Sequence, residues 1–456
     1  MFRRLFWLFI CGIPSLFLQA QTGLIKVSPN NQYLTYDDGM PFFWLGDTGW
    51  ELFHRLNLKE AEVYLENRRS KGFNVIQTVA LAEFNGLDVP NRNGDLPFNH
   101  LDPTKPNEAY FKFMDSVILI AGNKGMHVGL LPTWGDKVTE KWGAGPVVFN
   151  DKNAYQYAYW LANRYKSFDN IIWILGGDRP PKRDSSDWTS IWRSMAQGIN
   201  EATAGKAFIT YHTWGGKLST SQHIHQESWL MMNSMQSGHG GGRDVPVWEL
   251  VQRDRSYLPT KPTLDMEPNY EDHPVNPWPT WNPANGYFRD YDIRKQCYRS
   301  VFSGAAGVTY GHHSIWQFWS PLEEKINFAD RYWTEALDRP GAYQVGYLKR
   351  LILSRPSLER VPDQSIIVSG QGVGGEYATA FRDSAGTYLM VYLPVGKTID
   401  ISLVSIKAKK LALTWFNPRS GTYGIPEIVK RREKLSVSPP VLGGESDWVL
   451  VIDRHQ

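Results

Sequence analysis

From Pro41 to His313 the chain alternates between two hydrophobic patterns. Unbroken apolar runs make eight strand candidates: "PFFWLGD", "FNVIQTVAL", "HVGLLPTW", "NIIWILGGD", "AFITYHTW", "WLMMNSMQS", "PTLDMEP" and "GVTYGHH". Between most of them, apolar residues recur every three or four positions, as in "LKEAEVYLENRRSKG", "NEAYFKFMDSVILIAGNKG", "NAYQYAYWLANRYK", "DWTSIWRSMAQGINEATAG" and "YDIRKQCYRSVFSG". That spacing lines one face of a helix, and each segment stops at Gly or a polar turn. Strands buried on both faces have no polar side to display, so continuous apolar runs point to a parallel sheet. Eight such strands alternating with helices predict an α/β fold, a (β/α)8 TIM barrel. An open doubly wound sheet would carry a Gly-rich phosphate turn after its first strand. None follows here, and "GQGVGG" at 370–375 comes late and opens no helix.

Both ends follow a different grammar. "LIKVSPNNQYLTYDDGMPFF" alternates apolar and polar residues around an Asp38-Gly39 turn and predicts an N-terminal hairpin. After Arg355 the helical period disappears. "SIIVSG", "YATAFRD", "TYLMVYLP", "TIDISLVSI", "KLALTWFNP" and "DWVLVID" are short alternating strands between Gly, Pro and Asn turns. They predict a C-terminal all-β sandwich over residues 356–456, behind a barrel with its hairpin at 21–355. A helix running almost directly into strands leaves little flexible linker, so this module is expected to support the barrel.

Residues 1–20 are expected to be a signal peptide: Arg3 and Arg4, then "LFWLFICGIPSLFL", then Ala20 before Gln21. The apolar run is too short for a comfortable span. Cys11 lies within it, preceded by Ile10 where a lipoprotein cysteine would want a small residue. Only Cys297 remains, and an exported chain without a disulfide points to a bacterium, with a periplasmic or extracellular location. No later stretch is apolar enough to span a membrane. The net charge of +3 carries no basic excess and argues against nucleic acid. With 19 Trp and 22 Tyr, the chain is rich in flat rings that serve core packing and sugar stacking alike. A monomer is expected.

In such a barrel the active site lies at the carboxyl ends of the strands. These ends carry Asp47 and Trp50; Glu83; Trp134 and Asp136; Asp178 and Arg179; His212 and Trp214; Asn233, Ser234 and Gln236; Glu267; and His312, His313 and Trp316. A ring of acids, amides, imidazoles and indoles at eight successive ends is hard to explain by stability alone. Asp178, after two glycines that permit close approach, is the first catalytic candidate against the bland reading of a helix cap or an ion pair with Arg179. Glu267 is the second. Asp265 shares its strand face and is the rival acid, but Glu267 lies nearer the mouth. Carboxylates on strands four and seven suit a retaining glycosidase, whose pair sits roughly 5–5.5 Å apart. One protonates the leaving oxygen and the other attacks the anomeric carbon. Bulky indoles at Trp50, Trp134, Trp214 and Trp316 are expected to close a pocket around one terminal sugar. Asp47, His212, Gln236 and His312 would bind its hydroxyls.

"PFFWLGDTGWELFHRL", "KGFNVIQTVAL", "IIWILGGDRP" and "DMEPNYE" resemble the apiosidase-like barrel enzymes, glycoside hydrolase family 140, over nearly the whole mature chain. The C-terminal module resembles the collagen-binding-type domain often attached to them. The resemblance implies a retaining-type, exo-acting enzyme that releases apiose from rhamnogalacturonan II. It makes Asp178 the acid/base and Glu267 the nucleophile, and adds Tyr270 of "DMEPNYE" and Arg179 of "GGDRP" to the substrate-binding residues. Related barrels often carry Asn-Glu where this chain has Gly177-Asp178. The shorter acid needs the leaving oxygen about one methylene closer, and a usual contact to the 2-hydroxyl is missing.

No cofactor or metal is expected. His223, His225 and Glu227 of "HIHQESW" match no common zinc spacing, and HExxH is absent. A serine hydrolase would need G-x-S-x-G. Lys430-Arg431-Arg432 is a solvated face. The readings that remain beside an apiosidase are another retaining plant-polysaccharide glycosidase on the same barrel and a non-catalytic glycan- or matrix-binding protein.

Overall fold

The computed structural model describes residues 23–140, 143–275 and 281–455, so the expected signal peptide and Cys11 lie outside the described residues. Eight parallel strands form where the apolar runs predict them: β1 Trp44–Thr48, β2 Val75–Val79, β3 His127–Leu131, β4 Ile171–Gly176, β5 Ile209–His212, β6 Asn233–Met235, β7 Thr263–Asp265 and β8 Gly307–Tyr310. Six of them make one curled sheet in the order β5-β4-β3-β2-β1-β8, and β6 pairs with β7 in a separate two-stranded sheet. β6 and β7 are three residues each, too short to extend full ladders to their neighbours. Scattered hydrogen bonds link the arcs instead: Met231 N–H donates to Ile209 O at 2.9 Å, Thr210 Oγ1 to Met232 O at 2.8 Å, and Ala306 N–H to Thr263 O at 2.9 Å.

Seven main helices accompany the strands: α1 Leu58–Ser70, α2 Glu108–Asn123, α3 Asp151–Tyr165, α4 Thr189–Ala202, α5 Val247–Ser256, α6 Asp290–Phe302 and α7 Pro340–Leu353. No long helix separates β5 from β6. Asn57 and Asn150 start α1 and α3 with reciprocal capping boxes. The helical segments read from the sequence include neither α5 nor α7; α5, at ten residues, is the shortest of the seven.

The N-terminal hairpin forms through Ile25–Val27 and Leu34–Tyr36, joined by Pro41–Phe42. Beyond Arg360 all strand pairing is antiparallel. A large sheet carries Thr379–Asp383, Tyr388–Leu393, Lys410–Asn417 and Trp448–His455, and a three-stranded sheet carries Ile367–Ser369, Ile399–Ser402 and Lys434–Val437. One apolar core, including Leu389, Val391, Ile401, Leu411 and Ile452, joins the two.

The other face of the large sheet packs against α6. Tyr298 stacks on Tyr392 at 4.8 Å, and Phe302 meets Phe381 edge-on at 4.8 Å. α6 therefore has apolar neighbours on both sides, and every residue after Asp290 is buried. Its charges survive burial because they are paired. Arg294 meets Asp447 at 3.0 Å and Asp290 at 2.6 Å, and Lys295 pairs with Asp244. Asp447→Ala would take from the buried Arg294 its two-pronged partner and leave it Asp290 and Gln344, and we expect it to cost about 3 kcal/mol. Asp447→Asn, which keeps hydrogen-bonding atoms, should cost less, as measured by chemical denaturation. Equal stability of Asp447→Ala and the parent would show that the ion pair does not hold this junction.

Candidate active site

The ends of β2, β3 and β4 are stitched together by main-chain bonds. Trp134 N–H donates to Leu81 O at 3.1 Å, and Gly135 N–H to Gly177 O at 3.0 Å. This close approach explains the two glycines. A Cβ on Gly177 would sit 2.9 Å from Gly135 N, and one on Gly176 would sit 2.2 Å from His212 O. Gly176 and Gly177 have positive φ, +89° and +98°, and Asp178 follows at +52°. Asp is among the few side-chain-bearing residues that tolerate this region. The glycines thus admit neighbouring backbone, and the turn they make aims Asp178 into a cavity of about 890 Å³.

Glu267, two residues beyond β7, lines the same cavity. Asp265 does not. It is buried and takes bonds from Ser237, whose N–H donates at 3.3 Å. Burial pushes the Asp265 carboxyl up to about 7. Of the two acids on this strand, only Glu267 reaches the cavity.

One imidazole connects the two candidate acids. The Asp178 N–H donates to His212 Nδ1 at 3.2 Å. Because Nδ1 accepts, the neutral ring carries its proton on Nε2, which lies 2.9 Å from Glu267 Oε2. That contact is off hydrogen-bond alignment, so Oε2 has no aligned donor among the described residues. His239 Nε2 approaches the other oxygen, Oε1, at 3.2 Å. Burial would raise the Glu267 carboxyl, but the two imidazoles outweigh it and hold it down at about 2. Glu267 is therefore a stable carboxylate.

Eight of the twelve expected residues line this cavity: Asp178, Glu267, Trp50, Trp134, Trp214, Gln236, Tyr270 and Trp316. Trp50 and Trp134 are 3% exposed and also belong to an apolar core, so wall and core are not separate roles for them. Trp50 Nε1 donates to Tyr270 Oη at 3.2 Å. Arg183 lies 4.1 Å over the Trp214 ring.

The other four sit elsewhere. Asp47 is fully buried on the face of β1 it shares with Leu45, and accepts from Tyr64 Oη at 2.5 Å and Arg68 Nε at 2.7 Å. Strand alternation turns it toward α1, not toward a sugar. His312 is buried with Nε2 3.1 Å from Asp272 and Nδ1 accepting Ser314 N–H at 3.0 Å, so both nitrogens are spent on structure. Arg179 is 1% exposed, and its Nη1 donates to Asp178 O at 2.9 Å. His212 is buried behind Trp50, with its ring 5.2 Å away. It orients the acids, where a hydroxyl contact had been expected.

His239, which falls in none of the sequence motifs, and Glu83, beyond the end of β2, also line the cavity. Glu83 is half-buried. Burial, then the charges of Asp178 and Asp136, hold its carboxyl well above the usual range. The run "GHGGG" after β6 was the available signal for His239. In the "HIHQESW" segment, Glu227 pairs with Arg193 at 2.7 Å and His225 Nε2 lies 2.9 Å from Pro259 O. No group of three or more His, Cys, Asp or Glu among the described residues could hold a metal ion. No helix among them is long and apolar enough to cross a membrane.

The family model described as "Apiosidase-like, catalytic domain" matches residues 28–359. The chain belongs to the apiosidase-like family. A second model, "Putative collagen-binding domain of a collagenase", matches residues 361–453. Among solved structures, this family member is similar to a glycoside hydrolase at 32% identity and a TM-score of 0.85, covering 95% of this chain and 97% of that one. It is also similar to a glycoside hydrolase family 5 protein from Bacteroides vulgatus ATCC 8482, at 31% identity and a TM-score of 0.86, covering 96% and 95%. No curated protein sequence matches it. The chain is a glycoside hydrolase, and its substrate is a carbohydrate.

Gly177→Ala tests the turn. The added methyl must displace main chain in an already left-handed residue, a strain of order 1–3 kcal/mol. A shift of about 1 Å at Asp178 costs roughly a hundredfold in rate. We expect a lower unfolding midpoint together with that loss of glycosidase activity. Full activity in a folded Gly177→Ala protein would show that the turn does not set the acid's position.

Proposed function

We propose that this glycoside hydrolase is a retaining, exo-acting enzyme that releases terminal apiose from rhamnogalacturonan II side chains of plant pectin. One observation carries the reading: Asp178 and Glu267 line a single cavity and share His212. The apiosidase-like description of the family supports the sugar. We read the eight strands as a (β/α)8 barrel closed by the scattered bonds on either side of β6-β7, with the chain dividing into a catalytic domain at 21–355 and a β sandwich at 356–456. The enzyme acts as an exported monomer in the periplasm or outside a bacterial cell, with residues 1–20 as its signal.

In this reading Asp178 gives its proton to the leaving oxygen as Glu267 attacks the anomeric carbon, forming a glycosyl-enzyme ester. Asp178 then takes a proton from water, which attacks the same carbon and frees Glu267. The low proton affinity of Glu267 suits this role, because the nucleophile must stay ionised while the acid keeps its proton. Arg179, buried behind Asp178, helps hold the turn. The four indoles on the cavity, Trp50, Trp134, Trp214 and Trp316, suit stacking on one terminal sugar.

Incubation with defined pectin side-chain oligosaccharides should release apiose, with no early fall in polymer length. Release of a different sugar would favour another retaining plant-polysaccharide glycosidase on the same fold, and early mid-sized oligosaccharides would indicate an open cleft. Asp178→Asn and Glu267→Gln should each lower kcat by several orders of magnitude in folded protein. Either variant keeping more than about a tenth of the rate would reject the assignment.

The acid limb of the pH profile gives a further check. His239 helps hold Glu267 ionised down to about pH 2. His239→Ala removes one of the two stabilising imidazoles, so Glu267 should take up its proton at higher pH. The acid limb of kcat/KM should therefore move toward neutrality. A limb that stays in place would show that His239 does not tune this carboxylate.

A further inference from the structure

The wall of the cavity beside Glu267 comes from a glycine-rich segment that runs into α5. "SGHGGGRDVPVWEL", Ser237–Leu250, has four glycines in its first six residues, and Gly restricts its own backbone least of all residues. Its His239 faces Glu267, and Val245, Pro246, Glu249 and Leu250 also line the cavity. Bonds near the active centre fix part of it: Gly238 N–H donates to Glu267 O at 3.0 Å, and Asn269 Nδ2 donates to Gly242 O at 3.0 Å.

The far end of the segment rests on the C-terminal β domain. Trp248 is 5% exposed and stacks on Tyr377, with ring centres 4.2 Å apart and planes within 7°. Arg299 of α6 lies 4.8 Å from the Trp248 ring, and its Nη1 donates to Gly374 O at 2.9 Å. Asp244 pairs with Lys295 and lies so close to Gly375 that a Cβ there would be 2.8 Å from its carboxylate. The 371–378 loop is itself closed by Ala378 N–H donating to Gln371 O at 2.9 Å. α6 and the loop 371–378 therefore grip Asp244 and Trp248 from two sides. Trp248 adjoins Glu249, which is already in the cavity wall.

We propose that the C-terminal β domain is a working part of the active site: through Tyr377 it fixes the glycine-rich segment and so holds His239 against Glu267. Tyr377 is a positioning residue, acting through Trp248. This also gives the domain a function that needs no ligand of its own. The kinetic consequence rests on the glycosidase reading above, whereas the anchoring does not.

The test compares Tyr377→Ala with Tyr377→Phe in the full chain. Tyr377→Phe keeps the flat ring and should behave as the parent. Tyr377→Ala should raise amide hydrogen exchange across 238–250 by about tenfold or more. It should also lower kcat/KM by about tenfold, mostly through kcat, and move the acid limb to higher pH as His239→Ala does. Tyr377→Leu, which keeps apolar bulk but loses the stack, should show the same effects if Tyr377→Ala proves too unstable to purify. Exchange that rises only within 371–378, or a Tyr377→Phe variant as impaired as Tyr377→Ala, would overturn the proposal. If the parent hydrolysed no apioside, the substrate reading would fail while the exchange experiment still decided the anchor.

Discussion

A single buried imidazole ties the site together. His212 accepts the main-chain N–H of Asp178 on one nitrogen and turns the other to the carboxylate of Glu267. Two carboxyl groups carried by β4 and β7 need a fixed relation if one is to keep a proton and the other is to lose it. A rigid ring between them supplies both position and charge bias. The rest of the local structure protects this ring. Trp50 and Trp134 flank it at 5.2 and 5.9 Å, and Gly176 exists so that its own strand can pass within contact of the His212 carbonyl.

The second constraint is larger in scale. α6 is buried on all sides because the catalytic unit and the β domain both claim it. Its charged residues are satisfied across that junction, Arg294 by Asp447 and Arg299 by Gly374. A chain that spends a buried ion pair and a buried guanidinium–carbonyl bond there holds its two parts in one geometry, since breaking either leaves a buried charge less well satisfied. That geometry reaches the cavity through Asp244 and Trp248. The β domain and Glu267 are thus linked by packed rings and charges.

The strands and most helices were legible because burial on two faces, or on one face, leaves a mark on the sequence. β1 to β8 appear where the apolar runs lie. The residues at the strand ends were less legible. Position at a strand end says nothing of which way a side chain points, and Asp47 and His312 turned toward structural partners while Glu83 turned toward the cavity. Parity was the missing step: Asp47 lies two residues from Leu45 and follows it to the helix layer. His239 was hidden for another reason. It sits on a glycine-rich loop that Trp248 ties to Tyr377, 129 residues further along the chain, and no local pattern encodes such a contact.

The central claim is that Glu267, biased by His212, is the group that bonds to the sugar. It is tested most directly by trapping that bond. A glycoside with a good leaving group and fluorine at its 2-position forms the ester readily but loses it slowly, because fluorine destabilises positive charge at the anomeric carbon. Mass spectrometry of the digested protein should then find one sugar added, on the peptide that contains Glu267. A modification on any other carboxylate, or turnover with inversion and no adduct, would contradict the account.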